Sequence, residues 1–91
     1  MRFEWADEKA ASNLIKHDVS FDEAKTVFGD PLATTVADGA HSVDEQRWVT
    51  TGISQQHRVI VVWHTNRGAV IRIIGARQAT SQERRIYESG E

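Results

Sequence analysis

Four arginines fall within a short span, Arg72, Arg77, Arg84 and Arg85, and Tyr87 follows them. A guanidinium stays charged at every physiological pH. Its planar fork of donors matches two oxygens of a phosphate or carboxylate at once. Residues of this type suit the binding of a phosphodiester and the stabilisation of charge that builds on it during cleavage. A second pair, Lys16-His17, adds a cation and an imidazole, the side chain that exchanges protons near neutral pH. Both also sit well beside the negative end of a helix dipole. Tyr87 lies three residues after Arg84 and shares its helical face, where a phenol can stack, pack or supply a proton.

The elements that must carry these groups are legible nearby. Ala69–Arg77, AVIRIIGAR, is rich in β-branched residues and reads as a strand buried on both faces, interrupted by Arg72 and Arg77. Alternate residues of a strand share a face, so an unbroken strand would aim the two arginines in opposite directions. A bulge at Gly75 would bring them together. Each arginine then has two readings: contact with a bound phosphate, or an internal ion pair with Glu4, Asp7 or Glu23. The segment Ala79–Glu88 opens with Thr80 and Glu83 at capping-box spacing and continues as a helix carrying Arg84, Arg85 and Tyr87.

Earlier in the chain, Arg2–Trp5 alternates as a short strand. Asp7 is placed to cap a helix from Glu8 to His17, with Ala10, Ala11, Leu14 and Ile15 on one face. Ser20 and Glu23 form a second capping box, opening a helix that stops at Gly29, with Pro31 beyond. Leu32–Val36 reads as a strand, and Ala37–Gln46 as a polar loop. Strands follow at Arg47–Ser54 and Arg58–His64, joined by a turn at Gln55-Gln56-His57. Asn66-Arg67-Gly68 marks the next hairpin. The order β-α-α-β-β-β-β-α predicts an α+β fold, a small antiparallel sheet with helices mainly on one face. All 91 residues make one domain.

Composition removes several functions. There is no cysteine, and His17, His41, His57 and His64 show no zinc-site spacing, so no metal site is expected. His41 with Asp38 and Asp44 could hold a cation, but a solvated acidic loop explains those residues better. No phosphate-binding glycine motif or serine-nucleophile motif occurs, and no cofactor is expected. The longest aliphatic and aromatic run, Val59–Trp63, is far too short to span a bilayer, and the N-terminus lacks an apolar signal region. A soluble cytoplasmic chain is expected, without membrane contact. The net charge of −2 conceals a division. Residues 1–45 carry four Lys or Arg against ten Asp or Glu, while residues 46–91 carry seven Arg against three Glu.

FEW, Lys9, Asn13, Lys16-His17, VSFDEA, VFGDPLA and RIIGAR with ATSQERRIYE together resemble the BrnT family across essentially the whole chain. The pattern differs at Ala6, where an acidic residue is usual, at Asp18, which replaces a glycine, and at Gly75, which replaces a serine. The resemblance implies a ribonuclease toxin of a bacterial type II toxin–antitoxin pair with a RelE-like fold, arresting translation by cutting RNA. It further implies neutralisation by a BrnA antitoxin of the ribbon-helix-helix type, in a two-plus-two complex that meets DNA only through the antitoxin. On that basis Arg72, Arg77, His17 and Tyr87 are the candidate catalytic residues, and Lys16, Arg84 and Arg85 the candidate RNA-binding residues. Cleavage would be metal-independent, through the 2′-OH next to the scissile phosphate. The alternatives are a degenerate, non-enzymatic toxin that acts with a DNA-binding antitoxin in autoregulation, and a plain interaction domain.

Overall fold

The computed structural model describes residues 1–41, with His41 by its backbone alone, and residues 44–90. Five strands form one sheet: β1 (Arg2–Glu4), β2 (Thr34–Ala37), β3 (Arg47–Ile53), β4 (Val59–Arg67) and β5 (Val70–Gln78). Three α-helices accompany them, α1 (Asp7–His17), α2 (Phe21–Thr26) and α3 (Ser81–Ser89). The element order and the α+β class are as the sequence predicts. The strand order is β1-β5-β4-β3-β2. The sheet is mixed rather than wholly antiparallel. Hairpins fix β2 to β5 as antiparallel neighbours, but β1 lies beside β5 in parallel, pairing Phe3 with Ile71. No hairpin joins these two strands, so the rule that sets the other directions does not reach β1.

One face of the sheet carries the core. Val19, Phe21, Ala24 and Val27 pack from α2 and its flanks onto Ile60 and Val62 of β4 and Ile73 and Ala76 of β5. Phe3, Trp5, Ala10 and Phe28 close its margins. Gly52 is required where this layer approaches β3. A Cβ there would come within 2.9 Å of the Ala33 Cβ and 3.0 Å of Val27. His64, 2% exposed, is a core residue that bonds Thr50 at 2.7 Å and Asn66 at 3.0 Å. Burial pushes its imidazole pKa down, which keeps the ring neutral.

The helix α1 departs from the apolar-face expectation. Its start is Asp7 rather than Glu8, with Ala6 at the cap and no capping side chain, while Asp7 and Glu8 complement the dipole of the first turn. Leu14 and Ile15 are exposed, and the residue α1 buries is Asn13. Beyond the short β1, the outer edge of β5 would leave backbone groups unpaired, and only a side chain with both a donor and an acceptor can answer them. Asn13 does so. Its amide donates to the Ala76 carbonyl at 2.8 Å, and its carbonyl accepts from the Ala76 N–H at 3.1 Å. It also donates to the Val19 carbonyl at 2.9 Å, tying in the turn after α1. Asp18, in that turn, adopts φ 55, the left-handed conformation a glycine would take most easily.

The Ser20 cap of α2 accepts from the Glu23 N–H, but Glu23 does not complete the box. Its buried carboxylate turns instead to Arg58 and to the Ser54 hydroxyl, fastening α2 to the β3–β4 turn. Hydrogen bonding to Arg58 holds its pKa below the usual carboxylate value. At the far side of the sheet, β2 is the outer strand, and all four of its residues are exposed.

Replacing Asn13 by Leu should lower unfolding free energy by about 2–3 kcal/mol, because the β5 edge loses its partners while the apolar area gained is small. Urea denaturation checks this. Gly75→Ser should melt no lower than the parent in a thermal scan. The Cβ it adds meets only Asn13 Oδ1, at 3.7 Å, an ordinary contact, and a strand glycine is entropically unfavourable.

Candidate active site

The arginines of β5 depend on an irregularity in the β4–β5 ladder. Trp63 pairs with Gly75 but its neighbour His64 pairs with Ile73, so Ile74 is an extra residue. Ile73 and Ala76, three apart, therefore both reach the core, and Arg72 and Arg77 both face away from it. The bulge expected at Gly75 is present one residue earlier and does bring the arginines to one face. It does not bring them to one point. Arg72 pairs with Thr65 and Arg77 with Val61, four positions along β4, which is roughly 13 Å at β spacing.

Arg77 belongs to the anchorage of α3. It makes a bidentate contact with Glu83, at 2.7 and 3.1 Å, and lies over the Trp63 ring, 5.1 Å from its centroid. Glu83 also closes the Thr80 capping box, so one carboxylate links β5 to the start of α3. That pairing with Arg77 draws the Glu83 pKa from 4.5 down to about 2. Tyr87 donates a hydrogen bond to Asp30 from the other end of the helix. Burial, with that bond, pushes the phenol up to about 12, so it gives up its proton reluctantly. Arg84 and Arg85 ride exposed on α3, which lies across the face opposite α1 and α2.

Arg72 faces a different setting. Its guanidinium pairs with Glu4 on β1 at 2.7 Å, one of the internal pairs expected from the sequence. It also lines an open cavity of about 370 Å³ with Lys9, Arg47, Thr65, Arg67 and Ile74, flanked by Asp44 and Glu45. Arg67 holds Glu45 at 3.0 and 3.2 Å. A second cavity of about 350 Å³ runs along α1, lined by Glu8, Lys9, Ser12, Asn13, Lys16, His17 and Ile74. Lys9 and the bulge residue Ile74 line both, so the two cavities adjoin as a trough in two parts. Arg72 on one side, and Lys16 with His17 on the other, line adjoining cavities that meet at Lys9, while Arg77, Arg84, Arg85 and Tyr87 gather at α3. Lys9, Arg47, Thr65 and Arg67 were not singled out for chemistry in the sequence. The two-residue alternation of β4 and the hairpin signal at Gly68 carried the signal for Thr65 and Arg67, since the ladder next to that turn sets Thr65 opposite Arg72 and Arg67 opposite Val70. The side chain of His41, and so the cation reading with Asp38 and Asp44, lies outside the described residues.

Residues 5–83 match the model of a family described as the ribonuclease toxin, BrnT, of type II toxin–antitoxin systems. The chain belongs to the BrnT family. Its fold is also that of the crystal structure of the Brucella abortus ribonuclease toxin BrnT, with a TM-score of 0.70. The match covers 89% of this chain and 99% of that one, at 20% identity. No curated protein sequence matches it. Among the described residues of this BrnT chain, no helix is long and apolar enough to cross a membrane.

Because the folded-state pKa of Glu83 is depressed, the α3 tie contributes in full above about pH 4.5. It is lost as the pH falls from there toward about 2. Acid titration followed by hydrogen exchange of the α3 amides should show that loss. Arg77→Gln should remove most of this acid-dependent loss and leave the α3 amides less protected already at neutral pH.

Proposed function

We propose that the trough between α1 and β5 is the active site of a metal-independent endoribonuclease that acts in the bacterial cytoplasm and stops translation. The observation that carries the reading is that Lys9 and Ile74 line both cavities, which sets five cations (Lys9, Lys16, Arg47, Arg67 and Arg72) and an imidazole along adjoining walls. RNA supplies its own nucleophile. As O2′ attacks phosphorus, the O2′–P bond forms and the P–O5′ bond breaks, leaving a 2′,3′-cyclic phosphate. Arg72 and Lys9 would hold the phosphorane charge, and Lys16 would steady the neighbouring backbone. His17 would move the proton, from O2′ or to O5′. Arg77, Arg84 and Arg85, on α3, would extend the cationic track for the strand beyond, and Tyr87 would position the helix that bears them.

A type II toxin implies an antitoxin. We assign this partner to the BrnA ribbon-helix-helix type, in a two-plus-two complex that reaches operator DNA through the antitoxin.

A second reading draws on the ion pairs. Arg72 with Glu4 and Arg77 with Glu83 are each already matched to a carboxylate. On that reading the chain is a catalytically silent module that tunes its antitoxin. Purified protein incubated with RNA in EDTA separates the two. The enzymatic reading expects cleavage to persist in EDTA. Arg72→Ala and Lys9→Ala should each lower its rate on the order of 10²–10³-fold, with circular dichroism unchanged. Cleavage undiminished by both substitutions would contradict the assignment, and no cleavage by the parent would leave the silent module.

A further inference from the structure

We propose that the cavity over Thr65 holds the guanine base of the nucleotide beside the cleaved bond, with Glu45 reading one edge and the Arg67 guanidinium the other. The inference rests on the trough being the RNA site and adds a base preference to it.

Thr65 gives the first indication. It is 3% exposed and lines the cavity, and its Oγ1 has no hydrogen-bond partner among the described residues. A buried hydroxyl normally finds one; Oγ1 is nearly sealed from solvent, and a base edge would supply the partner once the Thr65 side chain turns toward the cavity. The size agrees, since about 370 Å³ falls within the ~300–1,000 Å³ of pockets that enclose small ligands.

Charge then separates a base from a phosphate. Asp44 and Glu45 stand among the cations of this cavity, with Glu45 bonded directly to Arg67. These two carboxylates offset two of the four cations that line the cavity, and leave Arg72 and Lys9 for the phosphate. The carboxylates are suited to a neutral group that carries donors as well as acceptors. Guanine has both in paired form. Its N1–H and N2–H₂ donors match the two oxygens of a carboxylate, and its O6 and N7 match a guanidinium fork. Adenine has no two-donor edge, and the pyrimidines have no equivalent of N7. Arg67 sits as a fork on both oxygens of Glu45. The pair is exposed enough to exchange partners, so the guanine donor edge takes that fork's place and releases Arg67 to O6 and N7.

The test is an NMR titration of the labelled protein with the four nucleoside 3′-monophosphates, followed at the amides of Thr65, Arg72 and Ile74. Guanosine monophosphate should bind about tenfold tighter than the other three. Glu45→Gln and Thr65→Val should each weaken it about tenfold, bringing it level with adenosine monophosphate, and Thr65→Ser should restore it. Glu45 is exposed, so its variant tests the inference even if Thr65→Val does not fold. Equal affinity for the four nucleotides, or guanosine affinity unchanged in Glu45→Gln, overturns the proposal. In parallel, cleavage ends are mapped on a mixed-sequence RNA. A chain that cuts RNA yet binds the four nucleotides alike overturns the base preference and leaves the trough standing. A chain that selects guanosine yet cuts nothing overturns the enzymatic reading and leaves the pocket.

Discussion

One extra residue in β5 sets the rest of the molecule. Without Ile74 out of register, Ile73 and Ala76 could not both face the core, and Arg72 and Arg77 would lie on opposite sides of the sheet. A bulge also interrupts the edge of a strand, and the edge of β5 past β1 has no neighbouring strand to close it. Asn13 supplies the missing bonds from a helix, using one side-chain amide as a substitute for a strand's backbone. The same contact seats α1 along β5 and so places Lys9, Lys16 and His17 beside Ile74. The trough exists because a polar residue, rather than Leu14 or Ile15, is the one α1 buries.

Two carboxylates divide the structure into parts that hold and parts that are open. Glu23 is buried and saturated by Arg58 and Ser54, and its work is to bind α2 to a turn. Glu83 does the same for α3 through Arg77 and Thr80. Removing Arg58 would leave the buried Glu23 charge uncompensated, so that tie carries more than a surface ion pair does. Glu4 and Glu45 differ, since they hold Arg72 and Arg67 at the rim of an open cavity. A partly exposed pair is weak enough to be shared with an incoming group.

Much of this was readable in the sequence. The order of elements, the Thr80–Glu83 box and the hairpin at Gly68 followed from local patterns of spacing and capping, while the sequence offered Glu4 only as one of three carboxylates for an arginine to pair with. The exposure of Leu14 and Ile15 did not, because helical periodicity assumes an apolar surface to bury against, and α1 meets a backbone edge. The parallel course of β1 did not either, since it depends on a partner about 70 residues away in the chain. The division of the arginines into two groups needed the register of β4 against β5. That register is set by a single inserted position, and no local pattern announces where it falls.

The sheet ends at β2, four residues long, with no lysine or proline among Thr34, Thr35, Val36 and Ala37. Many proteins discourage a stranger's strand at such a border with charge or with a ring that cannot donate. Here the safeguard is shortness: a ladder of so few rungs forms too little to hold another chain in place. Lengthening β2 by even one turnless repeat of its own sequence would remove that protection and leave the border sticky.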